Sequence, residues 1–276
     1  MLKNLTADQV NQFQTQGYCA PIDIMSEDQA LSYRYKLELA ESNYSHSIGP
    51  ENRNNAHLVL KCLDDIAFHP AIIDSVEDLI GPDILLYGSV LFIKEPQSKG
   101  YVSWHQDATY MALEPHEFVT PWLALTHSNS KNGCMRVIPG SHRQPVQPHR
   151  DTFNDDNILT RGQNIDDIDD SEGVDIVLRP GQLSIHHARL IHGSRRNLGE
   201  DRRIGVALQC YMSAATAQPG FSGYAQAVRG DVSNIDFELA PRPDQDMQPT
   251  NVGWRNRVNS RWAEILYHGA DQQRNY

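Results

Sequence analysis

Two textures divide the chain. Up to Gly81-Pro82 the pattern is helical, and from Ile84 apolar residues gather into short β-branched and aromatic runs. Thr6, with Gln9 three residues later, forms a capping box and predicts a helix to about Gln16, stopped by Gly17. A short strand follows at Tyr18–Ile22, and Ser26-Glu27-Asp28 opens a second helix running to about Ser42. Tyr44–Asn55 is polar and reads as loop, Leu58–Ile66 is mixed, and Pro70–Ile80 is helical. None of these segments carries visible chemistry, so they read as scaffold. Beyond them, Ile84–Lys94, Tyr101–Leu113, Val119–His127, Met135–Ile138, Asp175–Leu178, Leu183–His187 and Arg203–Met212 read as strands, punctuated by Gly, Pro and Asn turns. Many short strands with few helices between them predict an antiparallel sandwich or barrel. Ser213–Asn251 has little regular pattern and reads as a long excursion over the core, a candidate lid. The tail returns as a helix around Ser260–Tyr267.

Composition narrows the class. With 276 residues, no internal repeat and no clear boundary, the chain is expected to form a single domain over 1–276. Its parts are helical support over roughly 1–83, a β core over 84–212, and a lid with C-terminal segment over 213–276. A net charge of -11 argues against nucleic acid as partner. No apolar run approaches the roughly 18 residues that span a bilayer, and the first residues lack the apolar core of an export signal. Cys19, Cys62, Cys134 and Cys210 are scattered without a CxxC pair, as expected for reduced thiols in a cytoplasmic protein. The acidic run Asp166–Glu172 reads as a solvated loop.

The candidate chemistry starts at His105-Gln106-Asp107. On an extended backbone His105 and Asp107 share a face and offer one nitrogen and one oxygen to a first-row metal. The tripeptide alone is not distinctive, since His149-Arg150-Asp151 repeats it. His105, however, lies among Tyr101, Trp104 and Tyr110 in a strand-like context, whereas His149 follows a Pro-interrupted polar stretch with no fixed face. His192, at the end of an apolar segment just before Gly193, is a candidate second nitrogen. Two His and one carboxylate would make the facial triad that binds ferrous iron and leaves three positions open. On the strand from Arg203, that arginine shares a face with Gly205 and Ala207, while Ile204, Val206 and Leu208 share the other. An arginine flanked by small residues has room for a carboxylate.

In this order LTADQVNQFQTQGY, LFIKEP, WHQD, PWLALTHSNSKNGCMRVIPGSH, RGQ, RPGQLSIHH, HGS and RRIGVALQCY make the chain resemble the phytanoyl-CoA dioxygenase family of iron(II)- and 2-oxoglutarate-dependent oxygenases. Its bacterial branch, with ectoine hydroxylase and the non-haem chlorinating enzymes, is the most similar. The resemblance implies a mainly β, cupin-like double-stranded β-helix (jelly roll) with flanking helices. It implies His105, Asp107 and His192 as iron ligands, Arg203 for the distal carboxylate of 2-oxoglutarate, and Ser194 as its hydroxyl partner. Lys94 and Thr126 fall in segments that line the cosubstrate site of relatives. Of the three open positions, two would take the 2-oxo acid and one O2, with succinate and CO2 released.

Other residues read as structural. His186 and His187 are consecutive in a strand, so at most one faces inward, and both are assigned to supporting roles. His127 and His142 follow apolar segments at turns. The Gly-rich NGC and PGSH pieces lack the strand–loop–helix context of a phosphate loop. In the chlorinating relatives a small residue replaces the carboxylate, so Asp107 predicts hydroxylation. Desaturation, epoxidation or ring closure at the same iron centre is the alternative, and the intact triad with Arg203 argues against a non-catalytic jelly roll. The expected substrate is a small polar metabolite, an amino acid derivative or aminophosphonate, free or carrier-bound. Tyr101, Gln106, Tyr110 and Arg136 are its expected contacts because they lie near the ligand strands.

Overall fold

The structure is a computed structural model that describes residues 2–49 and 52–273. The first residue, 50–51 within the expected loop, and 274–276 at the end of the expected domain lie outside the described residues. In chain order the N-terminal part gives α1 (Ala7–Gln16), β1 (Tyr18–Asp23), α2 (Glu27–Asn43), α3 (Lys61–Ala67) and α4 (Pro70–Ile80). The β part follows with β2 (Ile84–Leu86), β3 (Val90–Lys94), β4 (Val102–His105), β5 (Val119–Ala124), β6 (Met135–Val137) and β7 (Val174–Asp175). Then come β8 (Gln182–His187), β9 (His192–Ser194), β10 (Arg203–Ala207), β11 (Tyr211–Ser213), β12 (Tyr224–Arg229), β13 (Glu238–Leu239) and α5 (Pro249–Leu266).

Capping chemistry fixes the first helices. Thr6 and Gln9, and again Ser26 and Gln29, make reciprocal capping boxes, and Gly17 closes α1 in the left-handed region at φ 83°. The strands form two sheets. One has nine strands in the order β1-β8-β5-β11-β2-β12-β13, with β10 bridging β5 and β3; the other has four, β4-β9-β6-β7. This is the jelly roll. The helices pack on the outer face of the large sheet, where Leu37, Leu63, Ile72 and Val76 share one buried cluster with Leu123, Ile185, Ile204 and Val206. Because strand side chains alternate, Arg203 and Ala207 then face the space between the sheets.

Four of the expected elements differ in the structure. The run Ile84–Lys94 is two strands, because the chain turns at Gly88, where the Trp262 indole lies 2.1 Å from the position a Cβ would take. Arg203–Met212 is likewise broken before β11 by Cys210 at φ 63°. The excursion 213–251 is not a free loop: β12 pairs with β2 of the large sheet and β13 pairs with β12. The C-terminal helix begins earlier than expected, at Pro249. All four cysteines are buried and unbridged, and no described helix is long and apolar enough to cross a membrane.

Candidate metal centre

His105 ends β4, and His192 opens β9 directly opposite it across the ladder. Opposed residues of an antiparallel pair point to one face, so both imidazoles enter the space between the sheets with ring centroids 4.1 Å apart. Gln106 keeps an extended backbone at φ -124° and ψ 131°. Asp107 therefore returns to the side of His105 before the chain turns. One ligand atom from each of His105, Asp107 and His192 lies within 4.8 Å of the others, and among the described residues no other trio of His, Cys, Asp or Glu does so.

The hydrogen bonds leave the right lone pairs free. His105 Nδ1 lies 2.9 Å from the Ser103 carbonyl and His192 Nδ1 3.0 Å from the Leu190 carbonyl. A carbonyl only accepts, so each Nδ1 carries the proton and each Nε2 keeps a lone pair for a metal. The two Nε2 atoms stand 3.7 and 3.8 Å from Asp107 Oδ1. Asp107 Oδ2 accepts from Thr120 Oγ1 at 2.8 Å and pairs with His186 Nε2 at 3.2 Å. One carboxylate oxygen is thus anchored and the other offered. Burial works to raise the Asp107 carboxyl, but the imidazoles of His105 and His186 against it, with His192 beside it, hold it well below the usual carboxylate range. Burial, then the neighbouring His105 and His186, push His192 well below the usual imidazole value, keeping it neutral. A face of two neutral imidazoles and one carboxylate suits ferrous iron.

The competing motif is occupied. His149 Nδ1 donates to the Gln147 carbonyl at 2.7 Å, and its Nε2 accepts the Gln106 N–H at 3.0 Å, leaving no lone pair for a metal. Asp151 is bound by Arg161. His187 faces away from the site toward Glu117, so the alternation expected for the His186-His187 pair holds.

A first cavity opens from the triad toward β10, lined by Thr120, Trp122, His186, Ser194, Arg203 and Gln209 among others. Arg203 is buried, and its Nε and Nη2 find no acceptor among the described residues. Burial pushes its guanidinium down to about 10. An unpaired buried cation is unfavourable by several kcal/mol, on the order of 2–5, unless an anion meets it. The space expected beside Arg203 is not empty: Trp122 lies over Gly205, where a Cβ would come within 1.8 Å of its ring, and it carries the Arg203 guanidinium 5.3 Å from its centroid. Lys94 stands opposite Arg203 in the β3–β10 ladder and donates to Ser194 Oγ at 2.7 Å and to the Arg195 carbonyl. It therefore braces Ser194 from behind the cavity wall. Thr126 accepts the Ile204 N–H at 2.9 Å and does not line the cavity; its place is in linking strands.

A second cavity lies on the other side of His105 and Asp107, and Tyr110 lines it. The other three expected substrate contacts lie elsewhere. Gln106 points away from the triad and binds the Arg189 carbonyl and the Gln147 N–H. Arg136 opposes Gly193, so it faces outward from the small sheet, held by Asp170 and Asp175 and packed on Trp104. Tyr101 lines the same outer groove. For Gln106, nearness in sequence to His105 and Asp107 is misleading because neighbours in an extended segment face opposite ways. Thr120, Trp122 and Gln209 were not anticipated. Thr120 and Trp122 do share a face by period two, but β5 is buried throughout and gives no sign of which face is inward.

Residues 13–205 match the family model described as phytanoyl-CoA dioxygenase (PhyH). A probable alpha-ketoglutarate-dependent hypophosphite dioxygenase of Stutzerimonas stutzeri is 30% identical over 151 residues, covering 54% of this chain and 52% of that protein. The peroxisomal phytanoyl-CoA dioxygenase of Bos taurus is 33% identical over 151 residues, covering 53% of this chain and 44% of that one. The chain thus spans about half the length of these curated relatives. Among solved structures, the apo form of a non-heme monooxygenase, ThoJ, superposes with a TM-score of 0.83 at 29% identity, covering 94% of this chain and 97% of that one.

Proposed function

This chain belongs to the phytanoyl-CoA dioxygenase family, and on that premise we propose that it is an iron(II)- and 2-oxoglutarate-dependent dioxygenase that hydroxylates an unactivated C–H bond of a small molecule. The observation that carries the reading is the buried, unpaired Arg203 facing the same cavity as an N,N,O triad. His105, Asp107 and His192 would hold the iron. The distal carboxylate of 2-oxoglutarate would take the free Nε and Nη2 of Arg203, with Ser194 as hydroxyl partner. Iron, 2-oxoglutarate and O2 together supply the oxidation, one oxygen atom going to the substrate and one to succinate, with CO2 released.

The protein's own groups set the conditions. Thr120 and His186 hold Asp107 so that only Oδ1 faces the metal position. With iron bound, Asp107 would take the place a halide would need, which supports hydroxylation over halogenation. Trp122 forms a flat apolar wall beside Arg203 and keeps water from the guanidinium. Desaturation or ring closure uses the same centre, and the mass of the product separates these outcomes from hydroxylation. The test is anaerobic addition of iron(II) and 2-oxoglutarate to the folded protein. A visible charge-transfer band is expected, and its absence would refute the proposal.

A further inference from the structure

Resting on that reading, we propose that the substrate is an uncharged, largely hydrocarbon molecule that carries a hydrogen-bond-accepting oxygen. The sequence suggested an amino acid or aminophosphonate, and the second cavity is built for neither. Its walls are mostly apolar, with Val90 and Phe92 from β3, Met111 after the ligand turn, Ile158 and Leu159 from the following loop, and Leu266 from α5, and the further polar groups there, Asn54, Thr160 and Gln209, are uncharged. Beyond the two metal ligands, the lining holds no Lys, Arg, His, Asp or Glu. An ammonium, carboxylate or phosphonate bound there would be buried without a counter-charge, which the protein interior tolerates poorly.

The cavity is not uniformly apolar. Two buried donors, the Tyr110 hydroxyl and the Trp262 Nε1–H, belong to residues that line it, and neither finds a hydrogen-bond partner among the described residues. Buried polar groups of this kind are normally satisfied, and each specific exception points to a missing partner. The indole N–H can only donate, so the partner must accept: a ketone, lactone, ether or ester oxygen. Both donors are fixed in place. The Trp262 indole stacks on Tyr87 at 5.2 Å and fills the space over Gly88. The Tyr110 ring stands edge-on to His105 at 5.7 Å. An oxygen held by Tyr110 therefore sits next to the metal ligands, which brings the neighbouring carbon atoms toward the reacting position. The orientation of the C–H bond would then be set by these two donors within a mostly apolar, uncharged wall.

The experiment uses the full chain loaded anaerobically with iron(II) and 2-oxoglutarate, read by perturbation of the charge-transfer band. Menthone and γ-decalactone are the neutral oxygenated probes, limonene the hydrocarbon without an acceptor, and L-valine and 2-aminoethylphosphonate the charged ones. Menthone or γ-decalactone is expected to shift the band at concentrations at least tenfold below any charged probe. In Tyr110→Phe the band itself certifies an intact iron site, and affinity for the oxygenated probe should fall about five- to tenfold while that for limonene holds. A band that neither oxygenated probe perturbs overturns the proposal, as does equal affinity for the oxygenated probe in wild type, Tyr110→Phe and Trp262→Phe. Absence of any band before a probe is added instead refutes the iron reading on which the proposal rests.

Discussion

The two sheets divide the site unequally. The small sheet supplies the two imidazoles of the candidate metal site, His105 from β4 and His192 from β9, and its outer face carries an ion-pair network around Arg136. The large sheet supplies what surrounds the metal position: Thr120 and Trp122 from β5, His186 from β8 and Arg203 from β10. Its other face is packed under the helices. The ligands thus sit on the sheet that contributes less to the core, and the groups that orient them sit on the sheet whose packing holds the fold. Substitutions on the small sheet should change chemistry with little change in folding, and substitutions on the large sheet should change both.

The largest test of that division is Asp107→Ala. Succinate formation should fall to background while far-ultraviolet circular dichroism stays native; unfolding would show that the turn after β4, which carries Asp107, matters to the core after all. Next is Arg203→Met. Losing the charge partner should weaken 2-oxoglutarate binding by about 2–5 kcal/mol, roughly thirtyfold or more, with iron still bound. The 2-oxoglutarate-free protein should become no less heat-stable, because a buried cation without an anion has been removed. Calorimetric titration and thermal melts read the two effects separately. Thr120→Val removes one of the two groups at Asp107 Oδ2 and should lower iron affinity about 10–100-fold, measured by competition with a chelator.

The smallest effect concerns pH. Burial, then the charge of Arg203, push the Lys94 amine down to about 6, so at pH 8 it is neutral in the ligand-free protein. A 2-oxoglutarate carboxylate nearby favours the ammonium and raises that value, so binding takes up a proton. Affinity should then fall as pH rises above about 6, by up to about tenfold per pH unit. Titrations in buffers of different ionisation enthalpy should show the proton uptake, and Lys94→Met should remove it.

How much of this was legible follows the same division. The grouping of these three residues was legible because period two sets His105 and Asp107 on one face and His192 closes an apolar segment just before a glycine. Arg203 could be read because its strand alternates clearly between charged or small residues and β-branched ones. Thr120 could not, since every residue of β5 is buried and a lone threonine carries no signal. The breaks at Gly88 and Cys210 were hidden because the apolar run continues across each, and only the tertiary approach of Trp262 explains the first. The role of β12 was invisible for the opposite reason: Tyr224–Arg229 pairs through its backbone, with a mixed burial pattern that alternation does not describe.

Gln106, placed between two ligands yet facing away from both, has a consequence for metal traffic. Its side chain and N–H tie the ligand turn to the segments around Arg189, Gln147 and His149. The turn is therefore held in shape by contacts that involve no ion, and metal capture needs no ordering step. Entry and exit of an ion should proceed at rates set by how fast it sheds and regains water. A socket fixed in this way discriminates poorly among divalent ions of similar size, so the natural affinity order would favour nickel or copper over iron. Which metal occupies the site then depends on supply in the cell, and purification under excess of a competing ion would yield a correctly folded but inactive protein.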